Sequence, residues 1–168
     1  MKELILVRHA KSSWAFPELE DQKRPLNKRG NKDAPYMAAY LREKGIIPDK
    51  IISSPAKRAF QTAKYFHTEF NQEVKSFDKE TDLYFGSEKD WLDLINNLDE
   101  EVTFPAYFSH NPSITYFSNQ FATKLIDNVP TCGIIYLQSS ASLWSDLDLK
   151  NTKLINYFFP KLVRDKDE

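Results

Sequence analysis

The sequence predicts an α/β layered domain with a mostly parallel, mixed central sheet flanked by helices. Three observations carry this expectation. Leu4-Ile5-Leu6-Val7 is an unbroken aliphatic run, which marks a strand buried on both faces. Strand-like and helix-like segments alternate through much of the chain, as layered α/β domains require. Two late strand-like segments, Gly133–Gln138 and Lys153–Phe159, have no helix of crossover length between them and therefore fit an antiparallel pair.

The first strand covers Glu3–Arg8, and a long polar loop follows it through Asn27. Arg29–Lys44 reads as a helix because Ala34, Met37, Ala38 and Leu41 fall at i, i+3, i+4 and i+7. Pro35 is tolerated there because it lies near the start. Gly45 ends the helix and Pro48 prevents its resumption. Ile51-Ile52 is a short strand. Ser54-Pro55 opens a second helix, with Ser54 as its cap, Pro55 as its first residue and a buried stripe of Ala59, Ala63, Phe66 and Phe70. Val74–Phe77 reads as a strand. Ser87 caps a third helix whose stripe is Trp91, Leu94, Ile95 and Leu98. Ala106–Ser109 is the next strand, and Asn111-Pro112 starts a short helix. The strand at Lys153–Phe159 is expected near an edge of the sheet. Residues 161–168 form a charged tail, expected to fray.

A length of 168 residues suits one core, and neither repeats nor linkers divide the chain, so residues 1–160 are expected to form a single domain. The net charge of -1 argues against a general binder of nucleic acid or membrane. No apolar run approaches the ~20 residues of a membrane span. The short run after Met1-Lys2-Glu3 is not a signal-peptide core. Cys132 is the single cysteine, which excludes an intrachain disulfide and fits a reducing compartment. A soluble, cytoplasmic protein is the expectation.

The first strand ends abruptly in Arg8 and His9. Open α/β sheets bind their ligands at the carboxyl ends of strands. Arginine is a permanent cation with a fork of donors suited to phosphate. Histidine is a nucleophile or base near neutral pH. Arg58 follows the second strand, in the first turn of a helix whose free N–H groups also attract anions. It fits either that role or a surface ion pair. His110 lies between the strand ending at Ser109 and the helix starting at Pro112. Three distant segments thus deliver basic groups to one sheet edge.

These segments resemble the histidine phosphatase superfamily, the phosphoglycerate-mutase-like fold. Leu6-Val7-Arg8-His9-Ala10-Lys11-Ser12 resembles its Arg-His-Gly signature. Ser53-Ser54-Pro55-Ala56-Lys57-Arg58-Ala59-Phe60-Gln61-Thr62-Ala63 resembles its second arginine segment, and Ser109-His110-Asn111-Pro112 its second histidine segment. Within the superfamily the chain is most similar to the small SixA-type phosphohistidine phosphatases. Arg24-Pro25-Leu26-Asn27-Lys28-Arg29-Gly30, Pro130-Thr131-Cys132-Gly133 and the short length support that likeness.

The resemblance implies a three-layer phosphoglycerate-mutase-like catalytic domain and a phosphohydrolase. It makes His9 the nucleophile that becomes phosphorylated. Arg8, Arg58 and His110 form the phosphate pocket, and Ser12 contacts phosphate. The implied substrate is phosphohistidine on a protein. The alternatives are a small phosphoester, or a weakly catalytic module that binds phosphate or a phosphoprotein. No cofactor and no metal are implied, since side-chain cations take the metal's role.

The chain departs from the signature twice. Ala10 replaces its glycine, which excludes backbone conformations of positive φ. Lys11 stands where many mutase-like members carry an acid. A general acid is needed only for a poor leaving group such as an alkoxide. Asp82 is its nearest positional candidate and Glu80 another, though a solvated loop charge fits both. Trp14 and Phe16 fit either an aromatic wall at the site or a cover over the core. His67 reads as a surface residue. Cys132 reads as a small core residue, because a cysteine-based phosphatase needs arginine at position 138, where this chain has Gln138.

Overall fold

The aliphatic run at the start of the chain becomes the strand around which everything else is layered. In a computed structural model, which describes residues 1–167, this strand is β1 (Lys2–Arg8). The others are β2 (Lys50–Ser53), β3 (Ser76–Lys79), β4 (Pro105–Ser109), β5 (Ile134–Ser139) and β6 (Thr152–Phe158). They form one sheet in the order β3-β2-β4-β1-β5-β6. The pairs β2–β3, β2–β4 and β1–β4 are parallel, whereas β1–β5 and β5–β6 are antiparallel. The sheet is therefore mixed, with β6 at one edge.

The helices are α1 (Gly30–Glu43), α2 (Lys57–Glu69), α3 (Asp82–Phe85), α4 (Glu88–Asn96), α5 (Ser113–Asn119) and α6 (Pro160–Asp167). Strand side chains alternate between faces, so β1 splits its four aliphatics. Ile5 and Val7 pack with Met37, Leu41, Phe66 and Phe70 from α1 and the end of α2. Leu4 and Leu6 pack with Trp91, Ile95, Ile114 and Phe117 from α4 and α5. All four β1 residues are fully buried, and each contributes on the order of 1.5–3 kcal/mol of apolar transfer. Ser87 caps α4 as expected, in a reciprocal box with Asp90. Among the described residues, no helix is long and apolar enough to cross a membrane.

The structure corrects several boundaries. Helix α2 starts at Lys57 rather than Pro55. Ser54 still donates its amide to the Phe108 carbonyl, and its hydroxyl accepts from the Ala56 amide, so Ser54-Pro55 is a turn tied to the sheet. β3 starts at Ser76 because the Val74 amide returns to the Phe70 carbonyl and closes the end of α2. α3 escaped the sequence reading because a single turn has too few residues to show a period.

The charged segment at residues 161–168 is not frayed over its described part. Residues 160–167 are helical, Val163 is buried in the core, and Arg164 pairs with the buried carboxylate of Asp33 on α1 at 2.5 Å. One apolar residue and one long-range ion pair anchor a helix that composition alone marks as solvated.

Candidate active site

Parallel pairing sets the ends of β1, β2 and β4 side by side. Arg8 closes β1 opposite Ser109 at the end of β4, and the His9 amide donates to the Ser109 carbonyl at 2.8 Å. His110 follows at once. β2 leads through its turn into α2, whose second residue is Arg58. Arg8, His9, Ser12, Arg58 and His110 all line one cavity of about 320 Å³. Those five sequence-predicted residues are thus brought together from three separate segments.

His9 is held as a neutral imidazole. Its Nδ1 lies 2.7 Å from the Ala10 carbonyl, which only accepts, so Nδ1 carries the proton. Arg58 donates its Nε to His9 Nε2 at 3.2 Å, so Nε2 presents a lone pair. Burial pushes the His9 pKa down to about 3, opposed by the Ala10 hydrogen bond and reinforced by the charges of Arg58, Arg8 and His110. A neutral ring with one lone pair on the pocket side is the protonation state a nucleophile needs.

Arg58 has every donor group engaged. Besides His9, its Nη1 donates to the Asp21 carbonyl at 2.8 Å and its Nη2 to Asp21 Oδ2 at 3.0 Å. Asp21 also accepts from the Tyr84 hydroxyl at 2.7 Å and from Arg24 Nε and Nη2 at 3.2 Å each. Burial alone raises the Asp21 carboxyl, but the hydrogen bonds from Tyr84, Arg58 and Arg24 and the Arg58 charge bring it down to about 2. A carboxylate so fully occupied is an anchor for guanidinium groups rather than a proton carrier. Arg24 lies face-on over the Trp14 ring, 3.7 Å from its centroid, and donates to Ser12 Oγ at 2.9 Å. Trp14 is therefore a wall of the pocket, while Phe16 is not among its lining residues.

Arg8 donates Nη1 to the Val129 carbonyl at 2.7 Å, and Asn111 donates to the same oxygen at 3.1 Å. Desolvation and the neighbouring Arg58 charge lower the Arg8 pKa. His110 is lowered as well, chiefly by burial, and the Tyr84 ring packs against its imidazole with centroids 5.0 Å apart. Arg8 Nε and His110 Nε2 are buried without a hydrogen-bond partner among the described residues. Buried polar atoms of this kind are costly unless something meets them. With Arg8, Lys11, Arg24 and Arg58 set against Asp21, the lining is strongly cationic and suits a phosphate dianion.

Cys132 supports this edge from beneath. It is fully buried and holds a φ of 60°, a conformation rare outside glycine. Its amide donates to both the Arg8 and His9 carbonyls, at 3.1 and 3.0 Å. Burial pushes its thiol pKa up, which fits the core role read from the sequence.

The structure places the remaining candidates and adds a residue to the pocket. Asp82 heads α3, is exposed and does not line the pocket, and neither does Glu80. The carboxylate in the lining is Asp21, which the sequence reading passed over. Its visible signal was the Asp21–Arg24 spacing of i, i+3 on a single 3-10 turn. Ala10 carries no penalty for its methyl: the residue does not adopt positive φ, is fully buried and donates its amide to Thr62 Oγ1 at 3.0 Å. His67 is half-buried, with its ring against Phe77.

The Asp21 anchor has a measurable consequence. Asp21→Asn keeps the shape but loses charge-assisted bonds to Arg58 and Arg24. Turnover of p-nitrophenyl phosphate should fall roughly tenfold to a hundredfold in kcat, the scale of a misplaced catalytic group. KM should hold or fall, since an anion has left the pocket. An unchanged kcat in steady-state kinetics means that Arg58 is positioned without it.

The depressed His9 pKa sets a pH dependence of stability. In the unfolded chain His9 protonates near the usual 6.5, whereas in the folded protein it stays neutral down to about 3. The unfolded state therefore binds more protons as pH falls through that window, and stability declines with it. Urea denaturation of His9→Gln should show a shallower loss between about pH 6.5 and 3 than wild type. Parallel curves mean that His9 titrates alike in both states.

The model of the histidine phosphatase superfamily (branch 1) matches residues 4–103 of this chain. A provisionally assigned phosphohistidine phosphatase, SixA from Agrobacterium tumefaciens, is 26% identical with a TM-score of 0.79, covering 95% of this chain and 98% of that one. The protein histidine phosphatase SixA in complex with tungstate has a TM-score of 0.80 at 19% identity, covering 96% and 99%. A mycobacterial glucosyl-3-phosphoglycerate phosphatase in complex with VO3 has a TM-score of 0.69 at 13% identity, covering 95% and 100%. The last two likenesses are of fold alone.

Proposed function

Because the chain belongs to the histidine phosphatase superfamily (branch 1) and is a phosphatase, we propose that it works through a phosphohistidine intermediate on His9 and removes phosphate from histidine on a protein. One observation carries this reading above the others. His9 is buried and neutral, with Nδ1 tied to a carbonyl and its Nε2 lone pair among Arg58, Arg8 and His110.

In the first step the Nε2 lone pair forms a bond to phosphorus in line with the leaving group. The substrate ring, protonated at its other nitrogen, takes the electrons of the breaking P–N bond and leaves as neutral imidazole. Arg8, Arg58 and His110 hold the equatorial oxygens, where charge spreads in the transition state. Incoming phosphate takes over the Arg58 Nε that rests on the His9 lone pair. Phosphorylated His9 is a cation whose Nδ1 proton stays on the Ala10 carbonyl. Water then attacks phosphorus, the bond to Nε2 breaks, and inorganic phosphate and a solvent proton leave.

The choice of leaving group follows from the carboxylates. An alkoxide needs a proton donor in the pocket. Asp21 is ionised and occupied, and Asp82 and Glu80 lie outside the lining. Imidazole needs no such donor. The SixA neighbours, described as phosphohistidine phosphatases, support this reading. The glucosyl-3-phosphoglycerate phosphatase favours a small phosphoester as the alternative. A panel of phosphohistidine peptides, aryl phosphates and sugar phosphates separates them. Phosphohistidine should give the highest kcat/KM, and turnover confined to sugar phosphates overturns the protein-substrate reading.

A further inference from the structure

The charges at the start of α1 run against helix electrostatics. A helix N-terminus is the positive end of a dipole and is stabilised by carboxylates, not cations. Yet Lys28, Arg29 and Lys32 gather there, all exposed. The first-turn acid, Asp33, offers nothing to the surface. It is buried, with its oxygens taken by Arg29 Nε at 3.3 Å and Arg164 Nη2 at 2.5 Å. Lys28 and Lys32 have no carboxylate partner among the described residues. With Arg164 they border an open cleft of about 630 Å³.

This cleft adjoins the catalytic pocket. The Asn27 amide donates to the Lys11 carbonyl at 2.9 Å. Gly30 comes so close to that oxygen that a Cβ would stand 2.2 Å from it. Lys11 itself lines the pocket. One backbone segment therefore joins the seat of the phosphate to the cationic cleft. Lys28 and Lys32 are not in the pocket lining, so a small phosphoester seated at His9 does not engage them. A partner extending from the pocket across Lys11 to α1 does.

We infer that Lys28, Arg29, Lys32 and Arg164 form a docking surface for an acidic face of the phosphorylated protein. The inference rests on the phosphohistidine reading above for the identity of the bound group. Complementary charge of this kind steers encounter and fixes register, and it is weakened by salt.

The probe is a fluorescent peptide with a central histidine flanked by runs of glutamate, paired with the same peptide carrying glutamines. By fluorescence anisotropy at low salt, wild type should bind the glutamate peptide at least about fivefold more tightly, the scale of a few exposed ion pairs. Salt should abolish the preference, and so should K28E/K32E. Hydrolysis of p-nitrophenyl phosphate by that variant should be unchanged. If charge reversal compromises folding, K28Q/K32Q provides the same comparison. Equal binding of both peptides by wild type, or a preference that survives in either variant, overturns the docking surface. The phosphorylated peptides test the other reading separately. If neither is hydrolysed while the binding preference stands, the substrate assignment fails and the docking surface does not.

Discussion

His9→Ala should lower turnover by at least about 10⁴-fold, the scale seen when a covalent nucleophile is removed. The size follows from His9 being the atom donor in the first bond made. The other imidazole of the lining, His110, follows the neighbouring strand end and serves the equatorial oxygens rather than phosphorus, and Ser12 Oγ is held by Arg24. The pocket should outlast the loss of the imidazole, because Arg58 stays anchored on Asp21 and Arg8 on Val129. Vanadate should therefore still bind the variant, with affinity within about tenfold of wild type. Rapid quench of wild type should trap acid-labile phosphate on His9, and the variant should trap none. Turnover of His9→Ala at the wild-type rate rules out the covalent route.

Arg58→Ala should cost about 10²–10³ in kcat, the range for loss of one preorganised donor to transition-state charge. Two effects work in opposite directions. The equatorial oxygens lose a cationic donor. At the same time His9 loses a donor on its lone pair and a charge that depresses its pKa. The acid limb of the pH–rate profile should therefore move to higher pH while the maximum falls. Arg58→Lys should recover little, because an ammonium cannot reproduce three donors directed at His9 Nε2, the Asp21 carbonyl and Asp21 Oδ2. A maximum that falls with no shift of the acid limb means that Arg58 contributes only charge to the phosphate.

What could be read from the sequence divides by range of interaction. Leu4–Val7 announced β1 because burial on both faces leaves a continuous apolar run. Arg8, His9, Arg58 and His110 were visible because strand ends and a helix start are local features, and parallel strands aim such ends at one edge. Arg58 lies in the first turn of α2 whether the helix starts at Pro55 or at Lys57, so its place at the sheet edge does not depend on the exact boundary. Asp21 was not visible, because its importance comes from Arg58, Arg24 and Tyr84, and two of these are far off in sequence. Periodicity carries no information about such closure. The same holds for α6, where the pairing of Arg164 with Asp33 overrides a locally polar composition. Ala10 fits for a local reason: this backbone does not use the positive φ that an alanine excludes.

The lone cysteine gives this protein a built-in clock. Cys132 sits with no solvent exposure under the junction of β1 and the nucleophile, its amide bridging the Arg8 and His9 carbonyls. A thiol reagent reaches that sulfur only when the strand end opens. The rate of alkylation, read against denaturant or bound vanadate, thus measures the opening of the catalytic edge in a chain with no competing thiol. Ligands that brace the phosphate pocket should slow the labelling, and those that bind elsewhere should leave it alone.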